Sequence, residues 1–362
     1  MLVNGRPYRT IWPEKGGRSV SFIDQTRLPF SFEVRTVSRW EDMARAVSSM
    51  QVRGAPLIGA AGAWAVALLC AEDPSPEAFA ASCERIARAR PTAVNLRWAV
   101  RRMAKVLSGL VGEERFAAAV REAGRISDED VEANRRIGGF FLPVLRKMFD
   151  GLGRPVRILT HCNAGWLATV DYGTALSGIY QAHEAGLPLE VYADETRPRL
   201  QGLLTEWELR QAGVPCTVLA DNSGGYLMQQ GLIDIVIVGA DRIAANGDTA
   251  NKVGTYLKAL AAHANGVPFY VAAPFSTIDF SLGEGVRGIP IERRSGDEIC
   301  RVRGISRDGT VETVSILPDE SRALNIAFDV TPAALVTGIV TERGIIRPED
   351  LKNEGEKIGS GA

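Results

Sequence analysis

The run Ile235-Val-Ile-Val238 constrains the fold of this chain more than any other stretch. Consecutive β-branched residues favour a strand buried on both faces, as in a parallel sheet. Gly239 and Ala240, which follow it, are small enough for another backbone or a ligand to approach closely. Asp241 then comes at the carboxyl end of the predicted strand, where open α/β sheets bind their ligands. The alternative interpretation of this aspartate is an N-cap for a following helix.

Strand-like segments repeat along the second part of the chain, with helical segments between them. Alternation at this spacing predicts a parallel sheet that is covered by helices on both faces. The predicted strands are Val156–Thr160, Leu189–Ala193, Cys216–Ala220, Ile233–Val238, Pro268–Ala273 and Ala334–Thr341. The predicted helices between them are Ala164–Ala185, Thr205–Gln211 and Thr249–Ala264.

The first part of the chain is predicted to be mostly helical. Residues 19–24 and 30–35 alternate between polar and apolar and predict a small antiparallel hairpin. The helical periodicity begins at residue 38 and continues in segments 75–88, 92–110, 113–125 and 128–148. The Ala- and Gly-rich run 55–70 predicts a buried helix, because it is shorter than the roughly 20 residues of a membrane span. A linker-like segment, 150–155, divides an amino-terminal helical domain (1–150) from a parallel-sheet domain (151–362), so the predicted class is α/β.

Composition and motifs exclude several classes of protein. The formal net charge of −1 offers no basic face for nucleic acid or for an anionic membrane. The five cysteines are scattered without a Cys-x-x-Cys motif, and the amino terminus lacks the layout of a signal peptide, so a reducing cytoplasm is expected. Neither a Gly-x-Gly-x-x-Gly after a strand nor a Walker-type loop occurs, so no nucleotide cofactor is expected. No metal is expected either, because neighbours on a strand such as His161 and Cys162 point to opposite faces.

Polar side chains follow four of the predicted strands at the point where each strand ends. They are Cys162, Asp194, Asp221 and Asp241. Because the carboxyl ends of parallel strands meet at one edge of a sheet, four such residues favour a ligand site over four separate caps. Cys162 is also predicted to start a helix, where the helix dipole would lower the pKa of its thiol. The alternative for Cys162 is a small buried hydrophobic residue.

Three short segments are candidates for binding an anion. They are Arg53-Gly54-Ala55 at a predicted helix start, Arg90 before Pro91-Thr92, and Asn251-Lys252. Helix starts offer free backbone N–H groups that suit a single phosphate. Each cation taken alone is more often a solvated surface charge.

Long motifs give the chain a family resemblance. They are Arg53-Gly-Ala-Pro-Leu-Ile-Gly59, Arg90-Pro-Thr-Ala-Val-Asn-Leu96, Leu159-Thr-His-Cys-Asn-Ala-Gly165, Asp194-Glu-Thr-Arg-Pro-Arg-Leu-Gln-Gly202, Gly239-Ala-Asp-Arg-Ile-Ala-Ala-Asn-Gly-Asp-Thr-Ala-Asn-Lys252 and Asn325-Ile-Ala-Phe-Asp-Val-Thr-Pro332. Together they resemble the methylthioribose-1-phosphate isomerases over nearly the whole chain. This family is homologous to the regulatory subunits of a eukaryotic translation-initiation exchange factor. It also contains isomerases of ribose 1,5-bisphosphate and of 5-deoxyribose 1-phosphate.

The resemblance implies a fold, an activity and a set of site residues. It implies a helical amino-terminal domain, a Rossmann-like carboxyl-terminal domain, a homodimer, and conversion of 5-methylthioribose 1-phosphate to 5-methylthioribulose 1-phosphate in methionine salvage. It implies neither a metal nor a cofactor. The positions that match the catalytic pair are Cys162 and Asp241, with Asp241 as proton donor. The positions that match substrate-binding residues are Arg53, Gly54, Ala55, Arg90, Gln201, Asn251 and Lys252.

Two departures from the family pattern bear on the choice of the 5-substituent. The family usually has an extra residue and an Arg after the Gln-Gly pair, whereas here Gln201-Gly202 continues directly into Leu203. Trp166 stands where a small residue is common. The residues leave two routes open for the hydrogen, a proton transfer through the Cys162 thiolate or a direct hydride shift. A non-catalytic regulatory protein on the same fold is the second functional class, and the retention of both Cys162 and Asp241 argues against it.

Overall fold

The computed structural model describes residues 1–73, 75–90 and 93–359. It confirms the predicted α/β class, with a helical amino-terminal part and a large, mostly parallel sheet after it. The elements of the first part are β1 (Leu2–Val3), β2 (Arg6–Pro7), β3 (Ile11–Pro13), β4 (Val20–Ile23), β5 (Val34–Val37), α1 (Trp40–Ser48), α2 (Ala55–Ala71), α3 (Pro76–Ala87), α4 (Val94–Val106) and α5 (Gly112–Leu152).

The second part follows the predicted alternation of strands and helices. Its elements are β6 (Val156–Thr160), α6 (Ser177–Glu184), β7 (Leu189–Asp194), α7 (Gly202–Gln211), β8 (Cys216–Leu219), α8 (Ser223–Gln229), β9 (Ile235–Val238), β10 (Arg242–Ala244), β11 (Thr249–Lys252), α9 (Thr255–Ala264), β12 (Phe269–Ala272), β13 (Ile278–Asp279), α10 (Gly285–Gly288), β14 (Arg293–Arg294), α11 (Asp297–Cys300), β15 (Arg301–Ile305), β16 (Val311–Ser315), β17 (Asn325–Ile326), β18 (Phe328–Thr331), β19 (Gly338–Thr341), β20 (Gly344–Ile346) and α12 (Leu351–Gly359).

Helix α2 is the centre of the amino-terminal part. Fifteen of its 17 residues are buried, because its sequence is apolar on every side and α1, α3, α4 and α5 pack around it. The predicted hairpin is confirmed, since β4 pairs antiparallel with both β3 and β5. The start of α2 is the end that faces the sheet, and it carries the first group of predicted site residues.

One continuous helix, α5, replaces the two helices that were predicted at 113–125 and 128–148. The predicted break was wrong because Ser127 does not cap a new helix. Its hydroxyl donates to the carbonyl of Ala123 and accepts from the indole N–H of Trp64. The helix packs on α2 with its first half and on α6 and the sheet with its second half. The division of the chain at residue 150 therefore stays a prediction.

Seven strands form the large sheet in the order β20-β19-β12-β9-β6-β7-β8. All neighbours are parallel except β19 and β20. Residues alternate between two apolar layers: Ile235 and Ile237 pack with α6 and α7, and Val236 and Val238 pack with α8 and α9. The run Ile235–Val238 is thus a central strand that is buried on both faces.

Two predicted helices were wrong in extent. The segment Ala164–Ala185 is helical only in α6, and a 3₁₀ turn and loop precede it. In the segment Thr249–Ala264, the first four residues form β11, which pairs antiparallel with β10 and β18. Strand pairing from distant parts of the chain overrides the local helical pattern there.

Across the three stretches that the structure describes, no helix has both the length and the apolar character needed to span a bilayer.

Candidate active site

One pocket brings together all nine residues that the family resemblance implied. Its lining includes Arg53, Gly54, Ala55, Arg90, Cys162, Gln201, Asp241, Asn251 and Lys252. The pocket lies where the sheet reverses its strand order, because β7 and β8 continue from one side of β6, and β9 and β12 from the other. Cys162 follows β6 and Asp241 follows its neighbour β9. This is the crevice in which open α/β sheets bind ligands.

Cys162 lies in a turn and not at the start of a helix, so that prediction was wrong. Its φ of 63° places it in the left-handed region, and the next α-helix along the chain begins only at Ser177. The turn is held by Thr196, whose hydroxyl oxygen accepts the Cys162 N–H at 2.9 Å, and by Thr205, whose hydroxyl donates to the Cys162 carbonyl at 2.8 Å. Desolvation raises the pKa of the Cys162 thiol, while the charges of Arg53 and Lys252 act in the opposite direction.

Asp241 is the carboxylate of the pocket. It does not cap a helix, because β10 begins directly after it and its N–H bonds to the Ala250 carbonyl of the returning strand. Among the described residues, the Asp241 side chain has no hydrogen-bond or ion-pair partner. Desolvation raises its pKa, against the positive charges of Lys252, Arg90 and Arg53. Its setting therefore favours the protonated carboxylic acid more than water would.

The start of α2 approaches the pocket closely because residue 54 is glycine. Gly54 has a φ of 101°, and a Cβ at this position would lie 2.3 Å from the carbonyl oxygen of Ala168. Ala55 is the first residue of α2, so the free N–H groups of the first turn face the same side. This geometry supports the predicted helix-start anion site.

Arg53 is buried beside these amides. Its guanidinium donates to the backbone carbonyl of Asn163 at 3.1 Å and to the Asn163 side-chain oxygen. Its Nε has no hydrogen-bond partner among the described residues. The Arg53 guanidinium is thus oriented by the turn that contains Cys162, and its Nε–H remains available as a donor.

Three more predicted residues supply polar groups to the pocket. Lys252 is buried on β11 with its ammonium 4.5 Å from the Phe328 ring centroid, and desolvation lowers its pKa. Arg90 lies 3.6 Å from the carboxylate of Glu292. Gln201 is buried, and its Oε1 has no partner in the described part of the chain.

Asn251 is held by the first residue of the helix that follows it. Its amide donates to the Thr255 hydroxyl at 3.1 Å, and Asn251 lines the pocket. With Lys252 it forms the end of β11, at the position where a helix had been predicted.

Sequence reasoning missed the residues that support the pocket from behind. Glu208 is fully buried on α7, where its carboxylate accepts from the Tyr180 hydroxyl at 2.7 Å and from the Leu167 N–H at 2.8 Å. Desolvation raises the pKa of Glu208 to about 7. Asn163 and Thr205 join this support to Cys162 and Arg53. A Glu on a short helix gives no sequence signal by itself.

Two of the four strand-end residues do not line the pocket. Asp194 is fully buried and contacts His161 Nδ1 at 2.8 Å and Lys258 Nζ at 3.1 Å. Asp221 accepts the backbone N–H groups of Thr196 and Arg197 at 2.6 and 2.8 Å. The prediction that all four residues form one site was therefore wrong for these two carboxylates.

His161, Asp194 and Asp221 also place metal-ligand atoms within 4.8 Å of one another. The Lys258 ammonium already pairs with Asp194 Oδ2, and backbone N–H groups already bond both Asp221 oxygens, as in an ion-pair network. These residues therefore fit a metal poorly.

The two departures from the family pattern have different consequences. Trp166 is fully buried and packs against Trp207 at a centroid distance of 6.1 Å, outside the pocket lining. Leu203 lines a second cleft, which shares Met50, Arg53 and Gln201 with the pocket. Only the change at Leu203 therefore lies next to the ligand site.

Comparison with known proteins identifies the family of the chain. Residues 51–348 match the initiation factor 2 subunit family. Methylthioribose-1-phosphate isomerases from Brucella anthropi and Rhodospirillum rubrum are 55% and 54% identical to the chain; the matches cover 97% and 95% of this chain and 98% and 90% of those proteins.

Solved structures give the same result. The crystal structure of 5-methylthioribose 1-phosphate isomerase from Pyrococcus horikoshii OT3 has a TM-score of 0.83 and 40% identity, over 99% of this chain and 97% of that chain. The translation initiation factor eIF-2B, subunit delta, from A. fulgidus has a TM-score of 0.76 and 37% identity, over 95% and 97%. The chain therefore belongs to the initiation factor 2 subunit family and, within it, to the methylthioribose-1-phosphate isomerases.

Proposed function

We propose that the chain isomerises 5-methylthioribose 1-phosphate to 5-methylthioribulose 1-phosphate, an aldose–ketose isomerisation of methionine salvage. The observation that carries this proposal is the shared pocket of Cys162 and Asp241 at the sheet's switch point, with cations around it. Relatives that are named for this activity match nearly the whole chain. The test is turnover of 5-methylthioribose 1-phosphate by the purified protein, and absence of turnover would reject the proposal.

The phosphate would bind at the start of α2. The N–H groups of the first helical turn, the free Nε of Arg53 and the charges of Arg90 and Lys252 all face this side of the pocket. A dianion suits this mixture of backbone amides and cations. Gln201 and Asn251 supply an acceptor each for sugar hydroxyls.

The reaction needs an acid first. A sugar with phosphate on its anomeric carbon cannot open spontaneously to an aldehyde, so the ring oxygen must be protonated. Asp241 suits this step, because desolvation favours its protonated form and no partner fixes its proton elsewhere.

The hydrogen then moves from C2 to C1 by one of two routes. As a thiolate, Cys162 would take the proton and return it; the raised pKa of the thiol means that it must first pass on its own proton. The other route is a hydride shift in a pocket shielded from water. Reaction in D₂O separates them, because proton transfer brings solvent deuterium to C1 and a hydride shift does not.

A non-catalytic regulatory role is the second candidate, because one 37% identical structure is named as an initiation factor subunit. A regulatory protein needs neither a shielded thiol nor an unpaired acid in one pocket. Binding of the sugar phosphate without turnover would favour this alternative.

The residues of the second cleft bear on which 5-substituent the site accepts. Leu28, Leu203 and Leu204 give it an apolar side, which suits a methylthio group. Two of its arginines are already engaged, because Arg199 is paired with Glu298 and Arg303 donates to a backbone carbonyl, which makes them less suited to a second phosphate. We expect kcat/KM to be highest for the methylthio sugar in a panel with 5-deoxyribose 1-phosphate and ribose 1,5-bisphosphate. A preference for the bisphosphate would reassign the substrate.

We propose that turnover needs neither a metal nor a cofactor. Asp241 supplies the acid in both routes, and the hydrogen then moves either through Cys162 or by a direct hydride shift. Exhaustive chelation should leave the rate unchanged. A loss of rate that added Zn²⁺ or Mg²⁺ restores would contradict this.

We further propose a homodimer in the cytoplasm. Tyr226 on α8 and Leu257 on the neighbouring α9 are 62% and 57% exposed, and apolar surface of this kind marks interfaces. All five cysteines carry free thiols, which suits a reducing compartment. Light scattering at micromolar concentration should give twice the chain mass. Leu257→Glu should lower the mass and Leu324→Glu, at a 70% exposed position, should not; a monomer in the unaltered protein would refute the dimer.

A further inference from the structure

A buried charged cluster lies beside the pocket without lining it. It consists of His161, Asp194 and Lys258, whose exposed fractions are 1%, 0% and 3%. His161 directly precedes Cys162, and Asp194 ends β7. Nothing in the proposed reaction uses these side chains.

The hydrogen bonds of His161 determine the protonation of its ring. Nε2 lies 2.9 Å from the carbonyl oxygen of Val253, which can only accept, so Nε2 carries a proton. Nδ1 lies 2.8 Å from Asp194 Oδ2, and the Lys258 ammonium lies 3.1 Å from the same oxygen. A carboxylate that pairs with an ammonium is in its charged form and only accepts, so Nδ1 carries a proton as well. A ring with both nitrogens protonated is an imidazolium.

The charges around the ring suit a buried cation. Asp194 and the neighbouring Asp221 lie on one side. On the other side, the Asp329 carboxylate accepts the N–H groups of Gly254 and Tyr256 at 2.6 and 3.1 Å. Burial raises the pKa of Asp329, and the charges of His161 and Lys258 act against that rise. Three carboxylates thus surround two cations, which offsets the cost of burying them.

The His161 ring also connects the turn that carries the Cys162 thiol with the strand end that carries the Lys252 ammonium. His161 is adjacent to Cys162, and Val253 is adjacent to Lys252. Gly254, with a φ of 103°, lets the chain turn tightly against the ring, because a Cβ there would lie 3.1 Å from His161 Cε1. The imidazole therefore fixes the end of β11 relative to the Cys162 turn.

We propose that His161 is a positioning residue, held as an imidazolium that fixes the Cys162 turn against the strand end that carries Lys252. Its catalytic consequence rests on the proposed isomerase function, whereas its protonation and its effect on the Cys162 turn do not. The ring acts through Cys162 and Lys252 and does not touch the pocket itself.

Protonation is tested in the unaltered fold by ¹⁵N-histidine NMR. The chain has three histidines, and His183→Gln and His263→Gln remove the two on helices α6 and α9. At pH 7.5 the remaining His161 ring should show two nitrogen-bound protons and the closely spaced nitrogen shifts of an imidazolium. Two widely separated nitrogen shifts, as in a neutral tautomer, would overturn the protonation.

Positioning is tested by two variants that each keep one of the ring's bonds. The amide of His161→Asn can donate to Asp194 only, and that of His161→Gln to Val253 only. Both should lower kcat by roughly 10²-fold, the cost of a small misplacement, with a smaller change in KM. Iodoacetamide should alkylate Cys162 faster in both because the turn is loosened, whereas Cys300 in the same molecule should react as before; His263→Gln is the matched control.

Each outcome decides the question. Unchanged kcat and unchanged Cys162 alkylation in both variants would refute the positioning role. If they fail to fold, Lys258→Met removes the ammonium that holds the Asp194 carboxylate against Nδ1. One of the two ring bonds is then weakened, so Cys162 alkylation should be faster; an unchanged rate there would refute the role. If the unaltered protein does not turn over 5-methylthioribose 1-phosphate, the isomerase proposal fails, while NMR and alkylation still decide the role of His161.

Discussion

The carboxyl edge of the seven-stranded sheet has two regions of opposite character. At the switch between β6 and β9, Asp241 has no hydrogen-bond or ion-pair partner among the described residues, and Arg53 keeps an unpaired Nε nearby. At the ends of β7 and β8, Asp194 and Asp221 are held by the Lys258 ammonium, the His161 ring and backbone N–H groups. All three carboxylates follow parallel strands of one sheet.

The difference between the two regions shows that sheet topology determines where polar residues lie but not whether they are paired. Topology places polar residues at one edge, and the segments that cover this edge decide which of them stay unpaired. An unpaired polar group that is shielded from water costs free energy unless a ligand supplies its partner. The paired region instead gives the pocket a rigid wall. Four predictions test this division.

The largest effect is expected from the two residues of the unpaired region. Cys162→Ala and Asp241→Asn should each lower kcat by about 10²–10⁴-fold, as expected for a lost acid–base group. Both variants should stay folded and still bind substrate, because neither side chain belongs to a core cluster. Steady-state kinetics with isothermal titration measures both quantities.

The double variant sharpens this result. If the two residues serve one proton-transfer sequence, Cys162→Ala/Asp241→Asn should be little slower than the slower single variant. Effects that multiply would assign them to separate steps. Cys300→Ala is the matched thiol control and should keep its kcat; a Cys162→Ala enzyme with near-normal turnover would remove the thiol from catalysis.

The sequence predicted the fold class and the two apolar layers of the sheet, but not every turn and strand. Both layers follow from local periodicity, as at Ile235–Val238. The strand order was not predicted, because it depends on pairing between distant parts of the chain. The turn at Cys162 was missed because the helix-forming residues after Ala164 outweighed the breakers Asn163 and Gly165. Strand β11 was missed because its sequence, Thr-Ala-Asn-Lys, has little strand propensity, and its partner β18 is distant in the chain.

The same limit applies to the site. The nine pocket residues were available from strand ends, helix starts and the family resemblance. The sequence did not show that Asp194 is paired and Asp241 is unpaired. This difference depends on partners such as Lys258, which other elements bring into place. Glu208 was missed for the same reason: its role comes from Tyr180 and Leu167 and not from a motif.

The second prediction concerns Glu208, the buried carboxylate behind the pocket. Its pKa is raised from 4.5 to about 7 by burial, so the folded state binds more protons than the unfolded state between these pH values. Stability therefore falls as pH rises through this window, by about 3 kcal/mol at most. Glu208→Gln, which does not titrate, should lack this decline.

Urea unfolding of both proteins at several pH values between 4.5 and 7.5 measures the difference. The free energy of unfolding of the native protein should fall relative to that of Glu208→Gln as pH rises. Glu206→Gln, a partly exposed neighbour on α7, is the matched control. A constant difference across the window would mean that Glu208 is ionised throughout in the folded state.

The third prediction concerns phosphate binding. Arg90→Ala should weaken substrate binding by about 1.5–3 kcal/mol, the range for a hydrogen bond to a charged group. This corresponds to a rise in KM of roughly 10- to 150-fold, with a smaller change in kcat. Arg88→Ala, which removes an exposed arginine on the same segment, should leave KM unchanged. An unchanged KM in Arg90→Ala would remove Arg90 from the site.

The smallest effect is expected at Asp221, in the paired region of the same edge. Asn keeps one of the two oxygens that accept the N–H groups of Thr196 and Arg197 and turns an NH₂ group toward the other donor. The loss should be about 1 kcal/mol in the free energy of unfolding, since the site is partly open to water. The effect on kcat should stay well below the ~10²-fold of an acid–base group. Urea unfolding and kinetics of Asp221→Asn, beside the exposed Asp319→Asn, measure both. A large fall in kcat with unchanged stability would place Asp221 among the reacting groups, and the contrast between the two regions of the sheet edge would then no longer hold.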